Sequence, residues 1–179
     1  MKLFLFLILF LVLPACTNDD DGMPQNPADA LPPATRTGAQ TFGCLINGEP
    51  FFPGSSGGDR PSAFYQFVRG AYTLGINASR DEGGGADFVS IGLVALDIDG
   101  LEETTYPLIS EQSGNFSGIY LLGGGIVLDT GTTEENPGTL TITHFTEDII
   151  SGTFEFTVLD NQGNEIQITD GRFDLLYTN

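Results

Sequence analysis

The chain has 179 residues, and 24 aspartates and glutamates against six lysines and arginines give it a formal net charge of −18 at pH 7. Recognition of nucleic acid requires a basic surface, so this balance excludes nucleic acid as a partner. It also excludes attraction of basic side chains to anionic headgroups as the means of membrane attachment.

The first 15 residues predict a signal peptide. Lys2 supplies the positive start, and residues 3–13 form an unbroken apolar run. A membrane-spanning helix needs about 20 apolar residues, so this shorter run suits the hydrophobic region of a signal peptide. The run ends in Leu-Pro-Ala-Cys, which resembles the lipobox of bacterial lipoproteins and implies lipidation of Cys16. An ordinary secreted protein cut after Ala15 is the alternative.

An acidic run follows the predicted lipidation site. Asp19, Asp20 and Asp21 resemble the export signal of surface lipoproteins in Bacteroidota, which implies an outer-membrane protein that faces the cell surface. Alternatively, the acids only keep the linker extended, and the protein faces the periplasm. Attachment by more than one acyl chain is stable, so the membrane is a partner through the lipid anchor.

Residues 16–37 have the composition of a linker. They contain four prolines and four acids but no aromatic residue, so they cannot bury a core of their own. Residues 38–179 have the length of one domain.

This domain is predicted to be all-β, as an antiparallel β-sandwich or barrel of about ten strands. Its apolar segments are short and mostly alternate with polar residues, and the 24 glycines argue against long helices. Asn47-Gly48 is a strong hairpin signal, Gly70 separates two further strands, and Asp170-Gly171 predicts another turn.

One motif raises the question of proteolysis. Asp129-Thr130-Gly131 reads like the catalytic loop of an aspartic protease, which needs two such aspartates facing each other. No second motif occurs in this chain. The polar residues and Pro137-Gly138 that follow indicate a strand, a loop and a new strand, so we interpret Asp129 as a strand-end or turn residue.

Cysteine and histidine are too few for most catalytic or zinc sites. With Cys16 lipidated, Cys44 has no partner for a disulfide, and its alternating neighbours predict a buried side chain. His144, the single histidine, is predicted at the rim of the core. Most aromatic residues are expected to pack in the core. We expect three tyrosines to be exceptions: Tyr65, Tyr106 and Tyr120.

The most concentrated group of acids lies in the stretch Ala-Leu-Asp-Ile-Asp-Gly-Leu-Glu-Glu. Asp97, Asp99 and Glu102 carry the hard oxygen ligands that calcium prefers, although the spacing is not that of an EF-hand loop. The sequence predicts a solvated acidic loop with no bound cofactor. A calcium site at this loop is the alternative.

Three segments resemble a family of uncharacterised Bacteroidota lipoproteins: TFGCLINGEPFFP, GTLTITHFTEDIISGTFEFTV and ITDGRFDLLY. These segments carry strand and turn residues. The resemblance therefore implies a β fold and an envelope location, and it brings no catalytic residues with it.

Three functional hypotheses remain. The first is a non-catalytic binding or structural module that is anchored at the cell surface and contacts a glycan or a protein of the cell envelope. The second is a carboxylate- or calcium-dependent hydrolase, which would be marked by acids of raised pKa in a cleft. The third is a lipocalin-like carrier of an apolar ligand, which would be marked by a large cavity lined with phenylalanine.

Overall fold

The computed structural model describes residues 26–55, 57–81, 83, 87–123 and 128–179. Cys16 and the acidic run 19–21 lie outside the described residues. The described residues form two short 3-10 helices, Pro27–Ala30 and Gly57–Asp59, and eleven strands. The strands are β1 (Thr41–Ile46), β2 (Glu49–Phe51), β3 (Ser62–Val68), β4 (Ala71–Arg80), β5 (Val89–Ile98), β6 (Thr105–Leu108), β7 (Phe116–Leu122), β8 (Leu128–Gly131), β9 (Gly138–Phe145), β10 (Ile149–Leu159) and β11 (Glu165–Thr178).

Eight of these strands close into a barrel in the order β10–β9–β6–β7–β5–β4–β3–β11, and β11 returns to β10. The other three strands of the described chain extend the wall, β1 and β2 from β11 and β8 from β7. Most neighbours are antiparallel, while β6 with β7 and β3 with β11 are parallel. The all-β prediction is confirmed, and of its two architectures the fold is the barrel.

Two predicted turns are tight hairpins. Asn47 and Gly48 connect β1 to β2 with φ angles of 51° and 84°, and Arg69 and Gly70 connect β3 to β4 with 55° and 101°. Positive φ at both central residues is the geometry that suits the twist of a two-residue hairpin. Asn47 also joins its hairpin to β11, because its side-chain oxygen accepts a hydrogen bond from the backbone N–H of Gln167 at 2.9 Å.

The predicted turn at Asp170-Gly171 is wrong. Both residues lie inside β11, which continues as one strand, and Asp170 has a φ of 52° within a bulge opposite β10. Asp170 does adopt the positive φ that its sequence predicts. Because β11 is hydrogen-bonded to β1 on one side and β10 on the other, the strand continues and the extra residue forms a bulge. Gly171 is required there because a Cβ atom would lie 2.5 Å from the Phe154 ring.

The core is one cluster of inward-facing side chains. Its buried members come from the barrel strands, from β1, β2 and β8, and from Leu101 in the loop between β5 and β6, and none is more than 7 % exposed. Cys44 belongs to this cluster, as predicted, and burial raises the pKa of its thiol to about 12. The thiol is therefore a packing group at neutral pH.

The packed domain begins before Gly38. Leu31 is buried and Pro32 lies against Gly43 of β1, while the 3-10 helix Pro27–Ala30 contacts β1 and β2. Composition assigned residues 16–37 to the linker because they contain no aromatic side chain. It did not reveal that Leu31 and a buried carboxylate on β11 hold this segment.

That carboxylate belongs to Asp174, which is 1 % exposed. It accepts six hydrogen bonds of 2.6 to 3.3 Å, from Thr35 Oγ1, the N–H and Oγ1 of Thr37, the N–H groups of Gly38 and Ala39, and Ser151 Oγ. Burial by itself raises the pKa of Asp174, but the donors of Thr35, Thr37, Ser151 and Ala39 outweigh it and hold the pKa far below its usual range. The ionised side chain thus fastens the segment before β1 to β11 and β10.

We expect Asp174→Asn to lower the free energy of unfolding by about 2–3 kcal/mol, because the amide nitrogen would face hydrogen-bond donors in a buried site. Urea unfolding measures this effect. Asp170→Asn is the matched control, since Asp170 is exposed on the same strand and asparagine tolerates its positive φ. Equal stability of the two variants would contradict the role of Asp174.

The carboxyl group of Asp174 also predicts how the free energy of unfolding changes with pH. Because its folded pKa is depressed, the stability that Asp174 contributes is present above an unfolded pKa of about 3.9 and is lost as the pH falls below it. The free energy of unfolding of the native chain should therefore decline more steeply below about pH 4 than that of Asp174→Asn.

The bulge gives a steric prediction. Gly171→Ala should destabilise the fold by about 1–3 kcal/mol, because the new methyl group overlaps the Phe154 ring. Gly100→Ala is the control, because a Cβ atom there meets nothing within 4 Å. Thermal unfolding that is unchanged in Gly171→Ala would show that β11 does not pack against Phe154 in this way.

Candidate ligand-binding site at one end of the barrel

Five aromatic side chains meet at one end of the barrel. Tyr65 and Phe67 lie on β3, Tyr72 at the start of β4, Phe145 at the end of β9 and Tyr177 near the end of β11. In antiparallel neighbours the end of one strand lies beside the start of the next, so residues distant in sequence converge there. The cluster is thus a product of the barrel topology.

The rings form two stacks at nearly right angles. Tyr65 stacks on Tyr72 with ring centroids 4.7 Å apart, and Phe145 stacks on Tyr177 at 5.6 Å. Tyr65 meets Phe145 and Tyr177 edge to face, at interplanar angles of 88° and 81°. Phe67 packs against Tyr72 at 4.9 Å and is still 64 % exposed. Such contacts fix the ring positions while leaving aromatic surface available.

These five rings line a cavity of about 460 Å³ together with Gln66, Thr146, Glu147 and Asn179. This volume is within the range of small-ligand pockets. Apolar walls with a few polar groups at the rim are typical of sites that hold a ligand by its faces and orient it by its edges.

The hydroxyl groups of Tyr65 and Tyr177 remain protonated at neutral pH. Burial, and then the neighbouring Tyr72, raises the pKa of Tyr65 to about 12, although the backbone N–H of Leu101 opposes this rise. Burial also raises the pKa of Tyr177, followed by the charges of Asp148 and Glu147. The Tyr177 hydroxyl donates to the Thr146 carbonyl at 2.8 Å, which fixes the ring at the rim.

The predicted calcium ligands lie in and near the loop between β5 and β6. Asp97 and Asp99 line a smaller cavity of about 340 Å³ beside Tyr106, which stacks on Phe116 at 4.1 Å. Glu102 is exposed, and its backbone N–H donates to the Tyr106 hydroxyl at 2.7 Å. Among the residues that the structure describes, no group of three or more His, Cys, Asp or Glu side chains is arranged to hold a metal ion. Calcium binding at Asp97, Asp99 and Glu102 stays a prediction.

His144 lies beside the same loop. Its Nδ1 is 3.4 Å from Glu103 Oε1, and that oxygen also accepts the backbone N–H of Phe145 at 2.9 Å. Glu103 therefore ties the loop to the end of β9. His144 is 30 % exposed, which agrees with its expected position at the rim of the core.

Asp129 lies in a strand and not in a catalytic loop. It is exposed on β8, where it pairs with Leu121 of β7. Thr132, just after β8, is buried, and its Oγ1 accepts from the Gly118 N–H and donates to the Ile109 carbonyl. The Asp-Thr-Gly-Thr stretch thus fastens an edge strand to the barrel wall.

A larger cleft of about 830 Å³ separates β1 from the residues before β3. Proline, glycine and hydroxyl side chains make up most of its lining, and Arg60 uses its Nε to donate to the Ser55 carbonyl at 2.9 Å. We regard the smaller aromatic pocket as the better candidate because ring faces and a carboxylate converge there.

Sequence reasoning singled out Tyr65 and Tyr106 but did not identify the cluster. The available signal was the position of three aromatic residues near strand ends, since such residues often lie at a barrel opening. They are Phe67, two residues before the β3–β4 turn, Phe145 and Tyr177. Tyr120 proved to be a core residue, and burial raises the pKa of its hydroxyl.

No family model matches the chain, and no curated protein or solved structure is similar to it at the level that supports a comparison. Within the residues described here, no helix is long and apolar enough to cross a membrane.

The calcium prediction can be tested by thermal unfolding. Calcium at 100 times its dissociation constant should stabilise the chain by about 2.7 kcal/mol relative to a chelator, and Asp97→Asn with Asp99→Asn should abolish the difference. Glu134→Gln with Glu135→Gln is the control for the loss of two charges. Equal melting temperatures with calcium and with chelator would remove calcium from consideration.

Proposed function

We propose that the chain is a lipid-anchored outer-membrane protein that faces the cell surface and acts as a non-catalytic binding module. The observation that carries the binding function is the aromatic pocket, in which five rings, two amide side chains and one carboxylate surround a cavity at the end of the barrel. Because the five rings stand on paired strands, the aromatic walls of the pocket are held in shape before a ligand arrives.

The electrostatics exclude two carboxyl groups of the domain, Asp160 and Asp174, as general acids. A carboxyl group that acts as a general acid needs a raised pKa. Asp160 and Asp174 have shifted pKa values, and in both the shift is downward, caused for Asp160 by hydrogen bonds from Asn164 and for Asp174 by the donors described above. Neither group can donate a proton near neutral pH.

The position of the packed segment supports anchoring through Cys16. Leu31 is the first described residue with a buried side chain, and it enters beside β1 and β2, whereas the pocket belongs to β3, β4, β9 and β11. An extended chain gains about 3.1 Å per residue, so the 10 residues from Cys16 to Asn26, which precede the 3-10 helix, could reach about 30 Å. This tether would leave the pocket accessible to partners outside the membrane.

Surface exposure is tested by treating intact cells with protease. We expect the native domain to be degraded, and a variant with Asp19, Asp20 and Asp21 changed to alanine to be protected. The matched control replaces Asp129, Glu134 and Glu135, three exposed acids of the domain, with alanine and should be degraded like the native protein.

Protection of the native protein would contradict the surface location and place the domain in the periplasm. Degradation of all three proteins would contradict the role of the acidic run. Cys16→Ala should appear in the soluble fraction of the cells, and its retention in the membrane fraction would contradict anchoring by lipid at this residue.

A further inference from the structure

The aromatic pocket lies along the edge of a strand. Its lining includes three consecutive residues of β3, Tyr65, Gln66 and Phe67. Successive side chains of a strand point to opposite faces, so a cavity that touches all three must extend around the strand's edge.

This edge lacks a partner in the described part of the chain. β3 pairs with β4 along its whole length on one side, but on the other side β11 reaches only Ala63 and Phe64, through Tyr177 and Thr178. Alternate residues of the stretch 65–68 therefore present their backbone N–H and C=O groups beside the pocket, while those of the others pair with β4. An open strand edge is a template for the addition of an extended peptide.

The pocket also favours a positive charge. Glu147 is the one charged residue among its lining residues, and Asp148 follows it. Burial is the main cause of the raised pKa of the Tyr177 hydroxyl, and the charges of Asp148 and Glu147 add to it because both acids lie near this ring. Aromatic ring faces attract cations, and the rings of Tyr65, Tyr72 and Phe145 lie in the same cavity. Arg69 stands on the adjoining turn, outside the lining residues.

We propose that the pocket binds an extended, basic peptide segment of a partner protein. This inference rests on the proposed binding function and names its ligand class. The peptide backbone pairs with residues 65–68 of β3 as an added strand, and a lysine or arginine side chain enters the aromatic pocket against Glu147.

A glycan is the main competing ligand. It would use the ring faces and the amide groups of Gln66 and Asn179, but it has no backbone that matches the spacing of a strand edge. A neutral glycan would also gain nothing from Glu147. The strand edge and the negative charge together favour the peptide.

The test measures binding of fluorescent peptides to the purified full chain in detergent micelles. The probe is Thr-Val-Arg-Val-Thr with blocked ends, compared with the same peptide carrying glutamate in place of arginine and with a form N-methylated at both valines. We expect the arginine peptide to bind, and both other peptides to bind at least ten-fold more weakly.

Two protein variants separate the pocket from general attraction to an acidic chain. Glu147→Gln should weaken binding of the arginine peptide about three-fold to five-fold, while Glu134→Gln, the same change on an exposed loop, should leave it unaltered. Equal effects of the two variants would overturn the inference, and so would equal affinity for the N-methylated peptide.

Phe67→Ala distinguishes failure of this inference from failure of the proposed function. Its side chain is 64 % exposed, so the fold should be retained, which circular dichroism verifies. If cellohexaose binds in a manner that requires Phe67 while the arginine peptide does not bind, the pocket remains a ligand site and the peptide inference is overturned. If neither probe shows binding that depends on Phe67, the peptide inference is overturned together with the pocket's proposed role.

Discussion

The barrel depends on two short parallel contacts, one residue pair between β6 and β7 and two residue pairs between β3 and β11. In the second of these, the closing contact, Tyr177 and Thr178 at the end of β11 run parallel to Ala63 and Phe64 at the start of β3 and complete the ring of eight strands. Closure removes the free edges of a sheet and lets its inward side chains form one core. Tyr177 contributes both to the barrel and to the aromatic pocket. It pairs with Ala63 in the closing contact, and its ring lines the pocket. The candidate site exists in this form only if the barrel closes where it does.

β11 is able to make this contact because it is held along most of its length. It pairs with β10 from Glu165 to Leu176 and with β1 from Ile168 to Asp174. The bulge at Asp170 adds twist to the strand, and the buried Asp174 draws the segment before β1 across β11. β11 parts from β1 beyond Asp174 and meets β3 three residues later. The short reach of β11 along β3 is also what leaves residues 65–68 open.

The fold was predictable from the sequence because its signals are local. Alternation identified most strands, and Asn47-Gly48 and Arg69-Gly70 supplied positive φ angles where hairpins require them. Asp170-Gly171 forms a bulge and not the predicted turn, because a positive φ suits both structures and the choice depends on neighbours that are distant in sequence. Composition did not reveal the packing of residues 31–39 for a similar reason, since the donors that this segment offers to Asp174 lie more than 130 positions from it in sequence.

The candidate site was much less predictable. Tyr65 and Tyr177 are 112 positions apart, and only the closing contact brings their rings within 6.3 Å. The acids that attracted attention in the sequence, Asp97, Asp99 and Glu102, lie in a different cavity or in solvent. Glu147, which the structure places in the pocket, had no motif to mark it. Aromatic residues are expected in any β core, so composition does not distinguish those that line an opening.

The closing contact itself is the most direct point to measure. Cross-strand nuclear Overhauser effects between Tyr177 and Ala63, together with hydrogen exchange at the amides of residues 63–64 and 177–178, report whether β11 and β3 are paired in solution. A closed barrel predicts that these effects are observed and that the amides paired in this contact exchange slowly. Absence of the effects, with exchange as fast as in an exposed chain end, would show an open sheet and would contradict both the barrel and the pocket that depends on it.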